Sequence, residues 1–141
     1  MNDAAQRLIE EEEGRSGCVY KDSRGYDTIG VGCLVDARVM GAGLCDEAID
    51  AQFAHDSAAA RADAAMLPGY QRLNETQQAA LISMCFQLGD LHDWPNFKAA
   101  LAMGDMAAAY TAGKASLWYS QTPKRAEREL TMLRTGVWVQ R

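Results

Sequence analysis

Glu13-Gly14, and then Tyr20-Lys21-Asp22-Ser23-Arg24-Gly25-Tyr26-Asp27-Thr28-Ile29-Gly30, form the stretch on which the reading of this fold turns. Ala5, Leu8, Ile9 and Glu12 precede it at helical spacing, and glycine is the residue type that closes a helix in the left-handed conformation. A helix is therefore expected to end with Glu13 in its final turn. Beyond it, Asp22-Ser23-Arg24-Gly25 has Asp first and Gly last, the preference of a type I turn. Val19, Tyr20, Tyr26, Thr28, Ile29 and Val31 supply β-branched and aromatic residues around that turn. A helix thus delivers one acid, and a β-hairpin delivers a second acid and a hydroxyl.

That combination suits the cleavage of a glycosidic bond, which asks one carboxyl to protonate the leaving oxygen and another to act on the attacking water. Glu13 is the candidate acid. It faces the negative end of its own helix dipole and the like charges of Glu10, Glu11, Glu12 and Asp22, all of which disfavour its ionisation, as a general acid near neutral pH requires. Asp22 is the candidate for handling water, and the Thr28 hydroxyl, in the returning strand, is placed to hold that water beside it. Taken singly, each has a plainer reading: a solvated acidic helix end, a turn cap, an ordinary strand residue. Their order along the chain is what points to chemistry.

The remaining chain reads as helices. An Ala-rich segment from Asp46 to about Met66 carries Ile49 and Phe53 at helical spacing and is ended by Pro68-Gly69. Asn74-Glu75-Thr76-Gln77 has the form of a capping box. The apolar run Ala79 to Leu88 predicts a helix buried on most sides, the core of the larger lobe. Shorter helices fit Asn96 to Met103, Asp105 to Thr111 and Pro123 to Arg134. In the last of these, Thr122-Pro123 reads as an N-cap with proline at the first helical position, placing Arg125 in the first turn above an apolar face of Ala126, Leu130 and Leu133. Core packing is the expected use of Trp94, Trp118 and Trp138.

With 141 residues, 48% of them hydrophobic, the chain is one domain's worth of sequence. No apolar run is long enough to span a bilayer, and Met1-Asn2-Asp3 lacks the basic-then-apolar order of a signal peptide, so synthesis in the cytoplasm is expected. Cys18, Cys33, Cys45 and Cys85 show no metal-ligand spacing, and His55 and His92 complete no site. Neither a metal nor a cofactor is expected, and the cysteines read as buried free thiols. The net charge of −5 is unevenly spread. Met1 to Gly113 carries 8 Lys+Arg against 17 Asp+Glu, or −9, whereas Lys114 to Arg141 carries 6 against 2, or +4. The basic end suits an anionic polymer such as the cell wall, while the acidic whole and the lack of a basic-aromatic groove argue against nucleic acid.

Glu13-Gly14, YKDSRGYDTIGVG from Tyr20 to Gly32, SMCFQLGD from Ser83 to Asp90, and WYSQTPKRAEREL with LRTGVW near the end are similar, in collinear order, to the phage-type lysozymes, glycoside hydrolase family 24. The resemblance implies an α+β lysozyme-like fold, mostly helical, with a small β-hairpin lobe at residues 14–44 and a helical lobe at residues 1–13 and 45–141. The Asp46 helix would join the two lobes of this single domain across an active-site cleft. It further implies an endolysin that hydrolyses the β-1,4 bond between N-acetylmuramic acid and N-acetylglucosamine in peptidoglycan. Glu13, Asp22 and Thr28 fall at the family's catalytic positions, and Arg125 at that of an arginine that pairs with the catalytic glutamate. Leu34, Phe86 and Gln87 fall at or beside substrate-contacting positions, whereas Cys33, Ala100 and Ala112 depart from the family's polar residues.

The family's inverting chemistry would have Asp22 position water rather than form a sugar ester. A holin would give the enzyme, a monomer made in the host cytoplasm, access to periplasmic peptidoglycan. Two other readings stand beside this one: a lytic transglycosylase, against which Asp22 and Thr28 weigh, and a wall-binding or tail-associated module with weak or no catalysis.

Overall fold

The computed structural model describes residues 4–141. Its contacts divide the chain into two compact units, one ending at Gln52 and the other running from Phe53 to Arg141. In chain order the elements are α1 (Ala4–Glu13), β1 (Ser16–Lys21), β2 (Asp27–Gly30), β3 (Cys33–Leu34), α2 (Asp46–Ala65), a 3-10 turn (Tyr70–Arg72), α3 (Glu75–Leu88), α4 (Pro95–Met103), α5 (Met106–Lys114), α6 (Leu117–Gln121) and α7 (Pro123–Thr135). The result is an α+β chain, mostly helical, with one small antiparallel sheet in the order β1-β2-β3.

In the first unit, α1 stops where Gly14 takes φ +74° and closes its N–H onto the Glu10 carbonyl at 2.9 Å, the left-handed ending expected from the sequence. The expected turn is present as well: the Gly25 N–H donates to the Asp22 carbonyl at 3.0 Å. β1 and β2 pair Tyr20 with Thr28 and Lys21 with Asp27, with an irregularity between Ser16 and Tyr20. The short β3, which sequence alone did not separate from the hairpin, sets Leu34 opposite Thr28 and Cys33 opposite Ile29.

Past β3, Asp36 anchors the loop. Arg38 grips its carboxylate through Nε and Nη2 at 2.8 and 2.7 Å, and the Asp27 N–H donates to it at 3.2 Å. The paired guanidinium and these N–H donors hold the buried Asp36 carboxyl well below the usual carboxylate range. The same guanidinium donates to the Gly25 carbonyl at 3.2 Å, tying this loop to the hairpin turn.

The second unit holds the hydrophobic core. Leu81, Met84, Phe97, Leu101, Ala109, Trp118, Ala126, Leu130 and Leu133 are all buried there. Full burial of a side chain such as Leu130 contributes about 2 kcal/mol. The Asn74 cap forms as its sequence predicts: its side chain accepts from the Gln77 N–H at 2.9 Å, while Gln77 Oε1 accepts from the Asn74 N–H at 3.1 Å. α3 buries Ala80, Leu81, Met84 and Cys85, but Phe86 and Gln87 are exposed, so this helix is more two-sided than its apolar run suggested.

Other expectations need correction. Thr122 caps α7 without a side-chain bond to it, because its hydroxyl instead donates to the Trp118 carbonyl at 3.0 Å, closing the unexpected helix α6. Trp118 is buried against Trp94, yet Trp138 is 53% exposed, with the Arg128 guanidinium 5.5 Å from its ring. Of the four free cysteines only Cys85 is buried, and burial pushes its thiol up to about 11.

Candidate active site

The three candidate catalytic residues line one cavity of about 550 Å³ within the first unit, together with Glu12, Tyr20, Lys21, Ser23, Arg24, Gly32 and Leu34. The sheet register explains the arrangement. Tyr20, Thr28 and Leu34 are direct cross-strand neighbours on three consecutive strands, so their side chains emerge from the same face. The last turn of α1 adds Glu12 and Glu13, and the hairpin turn adds Lys21 to Arg24. A helix end, a strand row and a turn therefore converge.

Glu13 is held close to the backbone that follows β2. Gly32, at φ +69°, sits so near that a Cβ built on it would meet Glu13 Oε2 and its carboxyl carbon. A carboxyl flanked by glycine backbone keeps its oxygens free for other partners, and among the described residues no hydrogen bond to them forms.

Asp22 is the opposite case. Its Oδ1 accepts from the Arg24 N–H at 2.8 Å and the Tyr26 N–H at 2.9 Å, and Arg24 Nε lies 3.9 Å from Oδ2. The Tyr26 N–H is the foremost reason that the carboxyl lies below its ordinary range, with the Arg24 N–H and guanidinium adding to it. Asp22 is thus an ionised acceptor whose Oδ2 stays available.

Thr28 is 1% exposed and donates its hydroxyl proton to the Tyr26 carbonyl at 3.1 Å. Since that proton is committed, the hydroxyl oxygen has only lone pairs to offer a further partner. The hydrogen bonds that build the hairpin also fix which oxygen of each side chain is open.

The other expected site residues are divided between the two units. Leu34 lies in the cavity just described. Phe86 and Arg125 line a different cavity, of about 500 Å³, within the second unit, with Phe53, Tyr70 and Ile82. There the Phe86 ring meets Phe53 edge-on, centroids 6.0 Å apart. Gln87, its neighbour, accepts the Trp118 indole N–H at 2.8 Å.

Arg125 is braced by its own unit. Nε donates to Glu129 Oε1 at 2.8 Å, and Nη2 donates to the Ser83 carbonyl and hydroxyl, each at 3.0 Å. The Ser83 hydroxyl in turn donates to Glu129 at 2.6 Å. Sequence reasoning missed Glu129, 7% exposed, although its i,i+4 spacing from Arg125 is the signal that would have found it. Tyr20 was read only as a strand former. Its two-residue offset from Asp22 and the hairpin register with Thr28 were the available clues to its place in the cavity.

Among the described residues, no group of three His, Cys, Asp or Glu side chains assembles as a metal site. No described helix is long and apolar enough to cross a membrane.

The phage lysozyme family matches residues 10–133, a span that holds every residue of the cavity. Among curated proteins, the chain is 30% identical to the pre-baseplate central spike protein Gp5 of Enterobacteria phage T4, over 96% of this chain but only 28% of that protein. It is 26% identical to the probable T4-type lysozyme 1 of Dictyostelium discoideum, over 96% of both chains.

Proposed function

We propose, for a chain that belongs to the phage lysozyme family and so to peptidoglycan-lytic proteins, that it is a muramidase cleaving the β-1,4 bond between N-acetylmuramic acid and N-acetylglucosamine. The observation that carries this reading is the shared cavity of Glu13, Asp22 and Thr28. Glu13 protonates the glycosidic oxygen as positive charge develops at the anomeric carbon. A water molecule donates one hydrogen bond to Asp22 Oδ2 and the other to Thr28 Oγ1, leaving a lone pair to attack that carbon from the opposite face. The water's proton passes to Asp22, which releases it to solvent as Glu13 takes one up, and the sugar leaves with inverted configuration.

In this scheme Leu34 packs against the bound glycan beside the acids, and Phe86 and Gln87 are proposed as substrate-binding residues of the second unit. Arg125 is proposed as a supporting residue, held in place by its bonds to Glu129 and Ser83. The whole acts as a monomeric endolysin, made in the host cytoplasm and reaching periplasmic peptidoglycan once a holin has permeabilised the inner membrane.

The test compares wild type, Glu13→Gln and Asp22→Asn in clearing permeabilised Gram-negative cells, with mass analysis of the products. Hydrolytic ends from the wild type and a loss of at least about a thousandfold in Glu13→Gln are expected. Anhydro-muramic ends would make it a transglycosylase, and equal clearing by both proteins would remove Glu13 from the mechanism.

The likeness to the T4 spike protein favours a second reading, a tail-associated lysozyme that opens the wall locally. Detection of this chain on purified particles rather than free in the lysate would select it.

A further inference from the structure

Two residues that line the cavity carry polar groups whose hydrogen-bonding capacity is unspent among the described residues. The Tyr20 hydroxyl is sealed from solvent and has no hydrogen-bond partner among the described residues. The Glu13 carboxylate lines the same cavity and likewise forms no hydrogen bond among the described residues. One is a donor lacking an acceptor; the other is an acceptor lacking a donor. Their neighbours are already engaged: Asp22 Oδ1 takes two backbone N–H groups, and Thr28 has given its proton to the Tyr26 carbonyl. A buried hydroxyl left unpaired is unfavourable, so its retention beside reactive carboxyls calls for a use.

We infer that Tyr20 is a positioning residue for Glu13: its hydroxyl donates to the carboxylate that appears when the glutamic acid gives up its proton. This inference rests on the proposed role of Glu13 as general acid. A protonated carboxyl is a weak acceptor, so the pair contributes little while Glu13 holds its proton. As the O–H bond of Glu13 breaks and its proton bonds to the glycosidic oxygen, negative charge grows on the carboxylate and the phenolic O–H, keeping its own proton, becomes a charge-assisted donor. The interaction strengthens along the reaction, which raises kcat rather than tightening substrate binding.

Access is consistent with this role. Tyr20 is fixed by the strand pairing opposite Thr28, whereas Glu13 stands at the exposed end of α1 against Gly32, and both residues line the one cavity. The charged groups lining the cavity with Glu13 are Glu12 from its own helix, and Lys21, Asp22 and Arg24 from the end of β1 and its turn; β2 and β3 contribute only Thr28 and Leu34. Lys21 and Arg24 are already drawn toward Asp27 and Asp22, respectively.

The experiment is Tyr20→Phe in the whole chain, read in two ways. The first is the pH profile of kcat on peptidoglycan. Without the phenol, Glu13 is a weaker acid, so kcat at the plateau falls about tenfold with KM unchanged, and the alkaline limb moves up by about one pH unit. The limb position does not depend on how much of the variant is folded. The second is the side-chain carboxyl titration of Glu13 followed by carbon NMR, which needs no turnover. Its midpoint is expected to be higher in Tyr20→Phe than in the wild type.

An unmoved midpoint overturns the inference, as does an unmoved alkaline limb with wild-type kcat. Glu13→Gln serves as the separate control: full activity in that variant refutes the general-acid reading itself, whatever Tyr20 does. A merely structural tyrosine would leave both readouts in place.

Discussion

Glu13 Oε2 lies against Gly32, such that a Cβ added at Gly32 would come within 3.2 Å of that oxygen and 3.3 Å of the carboxyl carbon. The end of α1 and the turn after β2 are therefore matched through one carboxyl and one missing side chain. Gly32→Ala would add both the crowding and the strain of an L residue at φ +69°. A stability loss of about 1 kcal/mol, with a fall in kcat of roughly tenfold or more as Glu13 is displaced, is expected. Thermal unfolding and initial rates on peptidoglycan check it; a variant with wild-type kcat would show that this contact does not set the acid's position.

Thr28 separates a structural hydroxyl from a chemical one. Thr28→Ser keeps the oxygen and its bond to the Tyr26 carbonyl, and is expected to keep most of the activity. Thr28→Val keeps the shape but leaves that carbonyl without its donor and, under the proposed mechanism, the attacking water without its acceptor. A cost of about 1 kcal/mol in stability and a loss of roughly a hundredfold in kcat are expected. Paired unfolding curves and rate measurements distinguish the two losses.

Asp36 makes the first unit sensitive to acid. Its carboxyl ionises below the ordinary value because Arg38 and nearby N–H groups favour the charged form. A group whose folded value is depressed contributes stability above its unfolded value, near 3.8, and loses that contribution as pH falls toward the folded one. Asp36→Asn should therefore be less stable than wild type at pH 7, with the gap narrowing below about pH 4. Urea midpoints measured across that range are the check, and a gap constant with pH would assign the loss to packing instead.

Arg125 and Glu129 form a pair with unequal exposure, 41% for the arginine side chain and 9% for the glutamate. Removing the arginine strands a buried carboxylate that still has one oxygen without a partner. Arg125→Ala is expected to destabilise the chain by about 2 kcal/mol, less than for a fully buried pair because solvent reaches the guanidinium. The double variant Arg125→Ala with Glu129→Leu should recover much of this, as a thermal double-mutant cycle would show.

Much of this protein was legible locally. Gly14 after an amphipathic helix, Asp and Gly at the ends of a four-residue turn, and the Asn74 to Gln77 capping box each carry their conformation within a few residues, and each forms as its sequence predicts. The apolar spacing of Ala126, Leu130 and Leu133 likewise named a buried face, because helical geometry alone brings those positions together. The candidate acids were recognisable for a related reason: Glu13 and Asp22 sit at the ends of elements whose boundaries are marked by glycine and by the turn.

Tertiary structure decided what those side chains meet. Register, which a pairing partner sets, aligned Tyr20, Thr28 and Leu34 in one row and brought Tyr20 into the cavity. Loop closure brought the Arg38 guanidinium onto the Gly25 carbonyl, and helix packing set the Ser83 hydroxyl on Glu129, the carboxylate that Arg125 bonds along its own helix. Which oxygen of Asp22 and which lone pairs of Thr28 remain open depends on backbone donors and acceptors supplied by the folded turn. Propensity and spacing determine where elements begin and end, since those energies are local; the direction of a hydrogen bond between distant segments exists only once the chain has closed on itself.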